Sequence, residues 1–124
     1  MAQELKYTRT HEWVEFLDDD KVRIGLTEYA VEELGDLVFI DLPEVDDEVE
    51  IEDSFADVES VKAVSDVYSP VTGIITAVND DLLNHPELVN ESPLEAWFIE
   101  VDEITEFDDL LTKEEYEDFI REEE

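Results

Sequence analysis

Short stretches in which apolar and polar residues alternate recur along the chain, with turn-forming residues between them. Residues 48–51 are the cleanest case: in an extended segment Val49 and Ile51 fall on one face, and Glu48 and Glu50 on the other. Residues 13–16, 21–26, 38–42, 56–61, 64–68, 73–78 and 97–101 read as further strands, several rich in β-branched side chains. Breaks fall at residues 18–20, at Pro43, at Pro70-Val71-Thr72-Gly73 and at residues 79–81. Gly73, close to Pro70, is expected to supply a special backbone angle. Many short strands at this spacing predict a mainly β fold, a small sandwich or flattened antiparallel β-barrel.

Two segments change period. Thr27 can cap a helix over residues 28–34 that ends at Gly35, with Leu26 and Val31 spaced as a hydrophobic staple. Near the C-terminus, Thr112-Lys113-Glu114-Glu115 has the form of a capping box, and Tyr116, Phe119 and Ile120 share one face of a helix over residues 112–121. That helix is expected to dock on the sheet. No linker, repeat or low-complexity segment interrupts the chain, so residues 1–124 are read as one domain.

Composition narrows the function. The 39 acidic residues leave a formal net charge of -32. Binding to nucleic acid or anionic membrane needs clustered Lys and Arg, so neither is an expected partner. Such an excess of carboxylates repels itself unless salt screens it, which points to a salt-loving source or an engineered acidic surface. With 43% hydrophobic residues the chain can still build a core. There is no cysteine, so disulfides, thiolate nucleophiles and cysteine metal sites are absent, and any redox chemistry must belong to something attached. No stretch approaches the roughly 20 apolar residues of a membrane span, and a soluble cytoplasmic protein is the default expectation.

Candidate catalytic motifs fail on inspection. His11-Glu12 begins like a zinc-protease helix, but position 15 is Glu15 where the second histidine belongs. His85 precedes Pro86 in a polar stretch and reads as a loop or capping residue. The three glycines, Gly25, Gly35 and Gly73, form no phosphate loop, and no acidic segment has the pattern of an EF-hand. Neither a catalytic centre nor a metal site is expected.

One lysine stands apart. Lys62 lies between Ser60-Val61 and Ala63-Val64, with no carboxylate within two positions in a chain crowded with them. If residues 56–61 and 64–68 pair as a hairpin, Lys62 sits at the turn and its amine projects from the sheet. That suits either a modified lysine or one that merely solubilises a turn.

The stretch Glu59-Ser60-Val61-Lys62-Ala63-Val64-Ser65-Asp66, followed by Ser69-Pro70-Val71-Thr72-Gly73, resembles the lipoylation hairpin of the glycine cleavage system H-protein family. Upstream, Thr10-His11-Glu12-Trp13-Val14, Ile24-Gly25-Leu26-Thr27 and Leu34-Gly35-Asp36-Leu37 resemble family blocks in the same order, as does Pro86-Glu87-Leu88-Val89-Asn90 downstream. The resemblance implies a hybrid sandwich or flattened barrel of the lipoyl-domain type with peripheral helices. It implies a non-catalytic carrier, with lipoic acid joined by an amide to Lys62 and with Glu59 and Asp66 flanking the hairpin. Thr10, Glu12, Leu26 and Asp66 match residues lining the cleft that shelters the loaded arm.

The partners that follow from the resemblance are glycine decarboxylase, aminomethyltransferase and dihydrolipoyl dehydrogenase, between which the arm carries the aminomethyl group of glycine. A lipoate ligase or octanoyltransferase would load the lysine, and a monomer is expected. This chain departs from the pattern where Glu33 replaces a helical histidine of some members, where Asp46, Asp47, Asp53 and Asp57 replace loop residues that are often glycine, and before Trp97. Within the family, relay of lipoate to other complexes is an alternative; outside it, an unmodified acidic interaction protein is another. A biotin carrier is disfavoured because Val61 and Ala63 flank the lysine where that group usually has methionines.

Overall fold

Nine strands and four helices follow one another along residues 5–18 and 20–123, the part of the chain that the computed structural model describes. In chain order they are β1 (Leu5–Tyr7), β2 (Glu12–Asp18), β3 (Lys21–Leu26), α1 (Glu28–Leu34), β4 (Leu37–Asp41), β5 (Glu48–Val49), β6 (Ser54–Ser60), β7 (Val64–Tyr68), β8 (Val71–Val78), α2 (Asp81–Asn84), α3 (Glu87–Glu91), β9 (Ile99–Phe107) and α4 (Lys113–Glu123). They form a six-stranded sheet in the order β1-β2-β3-β9-β8-β5 and a three-stranded sheet in the order β4-β6-β7. Every pairing is antiparallel. The sheets do not close into a barrel, so of the two expected forms the sandwich is the one realised.

The alternation along the strands is what joins the two sheets. Val14, Val22, Ile24, Ile75, Ile99 and Val101 of the larger sheet share one apolar cluster with Ile40, Val58 and Val67 of the smaller. Each of these side chains is at most 1% exposed, and removing them from water is the main stabilising term. A second cluster of Tyr7, Trp13, Leu111 and Tyr116 seats α4 against β1 and β2.

The helix caps act as the spacing suggested. Thr27 Oγ1 accepts from Ala30 N at 3.2 Å, and Gly35 closes α1 with φ 83°. At α4, Thr112 N donates to Glu115 Oε1 at 2.9 Å while Glu115 N donates to Thr112 Oγ1 at 3.2 Å, a reciprocal capping box. The helix itself runs over Lys113–Glu123, two residues beyond the expected end.

Other expectations need correction. β5 spans only Glu48–Val49, because a turn begins at once: Glu50 N donates to Asp53 Oδ2 and Asp53 N to Glu50 O. Gly73 has no left-handed backbone. It is small because a Cβ there would meet Asp102 O and Val101 Cγ1 at 2.7 Å, where β8 presses on β9. Left-handed backbone falls instead on His11, Asp46, Glu52 and Glu103. The short helices α2 and α3 occupy a polar region read as loop; His85 ends α2, its N–H donating to Asp81 O.

Candidate functional site

The β6–β7 hairpin pairs Asp57 with Asp66, Val58 with Ser65 and Glu59 with Val64, and reverses through Val61, Lys62 and Ala63. Ser60 builds the reversal. Its N–H donates to Ala63 O at 2.8 Å, and its Oγ accepts from Lys62 N at 3.1 Å and Ala63 N at 3.0 Å. Val61 N donates to Asp36 O at 3.2 Å, which leans the tip on the loop after α1.

Lys62 is exposed, and no ion pair holds its Nζ among the described residues. Its stem passes over Gly35, where an added Cβ would lie 3.4 Å from Lys62 Cε. Val61 and Val64, 71% and 65% exposed, make the surroundings of the amine apolar.

A groove of about 450 Å³ opens where the β1–β2 turn faces the end of β7, lined by Thr8, Thr10, Glu12, Tyr68, Pro70 and Asp108 among others. At its base Glu12 is 1% exposed. Thr8 Oγ1 donates to its Oε1 at 2.7 Å, Thr10 Oγ1 donates to the same oxygen, and Tyr68 N approaches Oε2 at 3.4 Å. Burial pushes the carboxyl up from 4.5 to about 7, against those three hydrogen bonds, which favour the ionised form. The Asp108 carboxylate adds a smaller push in the same direction.

The sequence-predicted residues are only partly brought together. Thr10 and Glu12 meet in the groove. Leu26 pairs with Glu12 across β2 and β3 but is buried in the core. Asp66 lies on the exposed face of the smaller sheet, where its Oδ2 is 3.4 Å from Tyr68 Oη, and Glu59 lies near the hairpin tip opposite Val64. Thr8, Tyr68 and Asp108 were not anticipated; each comes from a different segment and carries no local signal. The register also aligns Asp41, Asp57 and Asp66 across three strands. Among the described residues, no cluster of His, Cys, Asp or Glu could hold a metal ion.

A two-sheet β domain that lifts one lysine on an exposed strand reversal has the form of a carrier domain. A family model described as glycine cleavage H-protein matches residues 5–123. The chain belongs to the glycine cleavage H-protein family. It is similar to the glycine cleavage system H protein of Lachnoclostridium phytofermentans, with 53% identity over 123 residues that cover 99% of this chain and 97% of that one. The protein of the same name from Geobacillus kaustophilus is 51% identical, over 97% of this chain and 96% of its own. The crystal structure of such an H protein from Mycobacterium marinum superposes with a TM-score of 0.86 at 39% identity, covering 94% of this chain and 95% of that one.

Proposed function

We propose that Lys62 is the lipoyl attachment point of this H protein, and that the chain serves as the lipoyl carrier of the glycine cleavage system. The observation that carries this reading is an exposed lysine without an ion pair at a strand reversal, within a family match that spans nearly the whole chain. An amine destined for an amide bond gains from having no carboxylate to give up. Ser60 fixes the turn from below, so the lysine can be presented without being tied. A lipoate ligase or octanoyltransferase is the loading enzyme, and Glu59 and Asp66 flank the turn it must grip.

A lipoyl group supplies a dithiolane, the redox and carrier chemistry that a chain without cysteine cannot provide. The protein's own residues present and shelter; they do not catalyse. Tethering to Lys62 raises the local concentration at each docked partner, namely glycine decarboxylase, aminomethyltransferase and dihydrolipoyl dehydrogenase. The Glu12 carboxyl, pushed up to about 7 by burial, takes up a proton far more readily than a free carboxylate when the groove is empty, and releases it when a cationic cargo docks. Thr8, Thr10 and the Tyr68 amide then remain to hold the carboxylate in place. The protein works as a cytoplasmic monomer in this reading.

Intact mass after co-expression with a lipoylation system tests the proposal. One lipoyl increment is expected for the wild type and none for Lys62→Arg, which keeps the charge but cannot form the amide. An unchanged wild-type mass, or an increment that survives in Lys62→Arg, overturns it. Reconstituted glycine decarboxylase exchange then separates service in glycine cleavage from lipoate relay.

A further inference from the structure

The groove depends on a turn whose shape is set from outside. Thr8 and Thr10 reach Glu12 because residues 8–11 fold tightly: Thr8 N donates to Glu12 O at 2.9 Å, and His11 N donates to Thr8 O at 3.2 Å. His11 completes the turn in the left-handed region, φ 73°, an uncommon place for a residue with a side chain. Its ring packs between α1 and α4, 4.8 Å from the ring of Tyr29 on α1 and 6.0 Å from that of Phe119 on α4. There His11 Nδ1 meets Tyr116 Oη at 2.8 Å.

The same hydroxyl lies 2.7 Å from Thr27 Oγ1, the cap of α1, and Thr27 N donates to His11 O at 3.1 Å. Tyr116 is itself fixed by stacking on Tyr7, ring centroids 4.9 Å apart and planes 10° from parallel. One buried phenol therefore links the C-terminal helix, the groove turn and the start of α1. The docking of α4 has other supports in Leu111, Phe119 and Ile120, so this link is not needed merely to seat the helix.

We infer that Tyr116 is a positioning residue for the groove: through His11 it holds the turn of residues 8–11 in the shape that keeps Thr8 and Thr10 on Glu12. The inference builds on the reading of the groove as part of the carrier's site, and makes the C-terminal helix a working part of that site. Phenylalanine at position 116 would keep the stack on Tyr7 and leave His11 and Thr27 without the bridging hydroxyl. The turn would then loosen and admit water to Glu12.

The test is a ¹³C-NMR titration of the Glu12 carboxyl in the unmodified protein, so it stands whether or not Lys62 is lipoylated. Tyr116→Phe is expected to lower the Glu12 midpoint by about one unit toward the ordinary carboxylate range, as burial is its largest cause. His11→Gly, which tolerates the left-handed backbone, should do the same if Tyr116→Phe does not fold. Asp108, Glu52, and the Arg9–Asp109 pair line the same groove and are unchanged in both variants. Ile120→Ala, which weakens α4 packing without touching the link, should lower stability and leave the midpoint in place. A midpoint unmoved in Tyr116→Phe or His11→Gly, or moved equally in Ile120→Ala, overturns the inference.

Discussion

Replacing Glu12 by glutamine should reverse the effect of pH on the comparison with wild type. Glu12 is almost fully buried, and its carboxyl is pushed from 4.5 to about 7. The folded protein therefore keeps a proton that the unfolded chain releases above about pH 4.5. Since the folded state binds more protons in this window, wild-type stability is fully present below pH 4.5 and is lost as pH rises toward 7. A separation of about 2.5 units at about 1.4 kcal/mol each gives a loss of roughly 3 kcal/mol. Glutamine cannot ionise, so that loss is absent from Glu12→Gln.

At pH 4.5 the variant exchanges a neutral acid for a neutral amide and sets an NH₂ against one of the donors Thr8, Thr10 or Tyr68 N, which costs about 1 kcal/mol. By pH 8 it should be more stable than wild type by about 2 kcal/mol. Urea unfolding of both proteins in 1 M NaCl reads the difference directly, with salt suppressing the general repulsion that both share. Parallel stability curves between pH 4.5 and 8 would refute the reasoning. So would a wild type that gains on the variant as pH rises, for that would mean three hydrogen bonds outweigh burial and hold Glu12 ionised.

The remaining expectations concern charge and close packing. With a net charge of -32, the melting temperature should rise between 0.1 M and 1 M NaCl, as the screening length falls from about 10 Å to about 3 Å; no rise would show that the carboxylates repel too weakly to matter. Asp57→Asn removes the central member of the Asp41–Asp57–Asp66 row and should stabilise by about 0.5 kcal/mol in low-salt urea titrations, with the gain shrinking in 1 M salt. Gly73→Ala should destabilise by about 1–3 kcal/mol, because the methyl group meets the β9 backbone at 2.7 Å; a loss under 0.5 kcal/mol would mean that β9 yields easily.

What could be read along the chain was what depends on neighbours in sequence. The caps at Thr27 and Thr112 and the alternation of most core strands are local, and so is the bare lysine between Val61 and Ala63. Gly73 was misread for the opposite reason: its smallness answers to Asp102 and Val101 on another strand, and no neighbour announces them. The strand expected over residues 48–51 stopped at Val49 because Asp53 captures the Glu50 amide, a turn that outcompetes the period-two pattern.

The groove shows this division most sharply. Glu12 is one carboxylate among 39 acidic residues, and nothing beside it in sequence marks it as buried. Its environment is assembled from Thr8 and Thr10 in one turn, Tyr68 at the end of β7 and Asp108 after β9, and the turn is joined to α4 through His11 and Tyr116. Lys62 needs a short reversal and solvent, so its hairpin alone displays it. A carboxyl pushed up to about 7 needs water excluded from several sides at once, and only the packed sandwich with its C-terminal helix can do that.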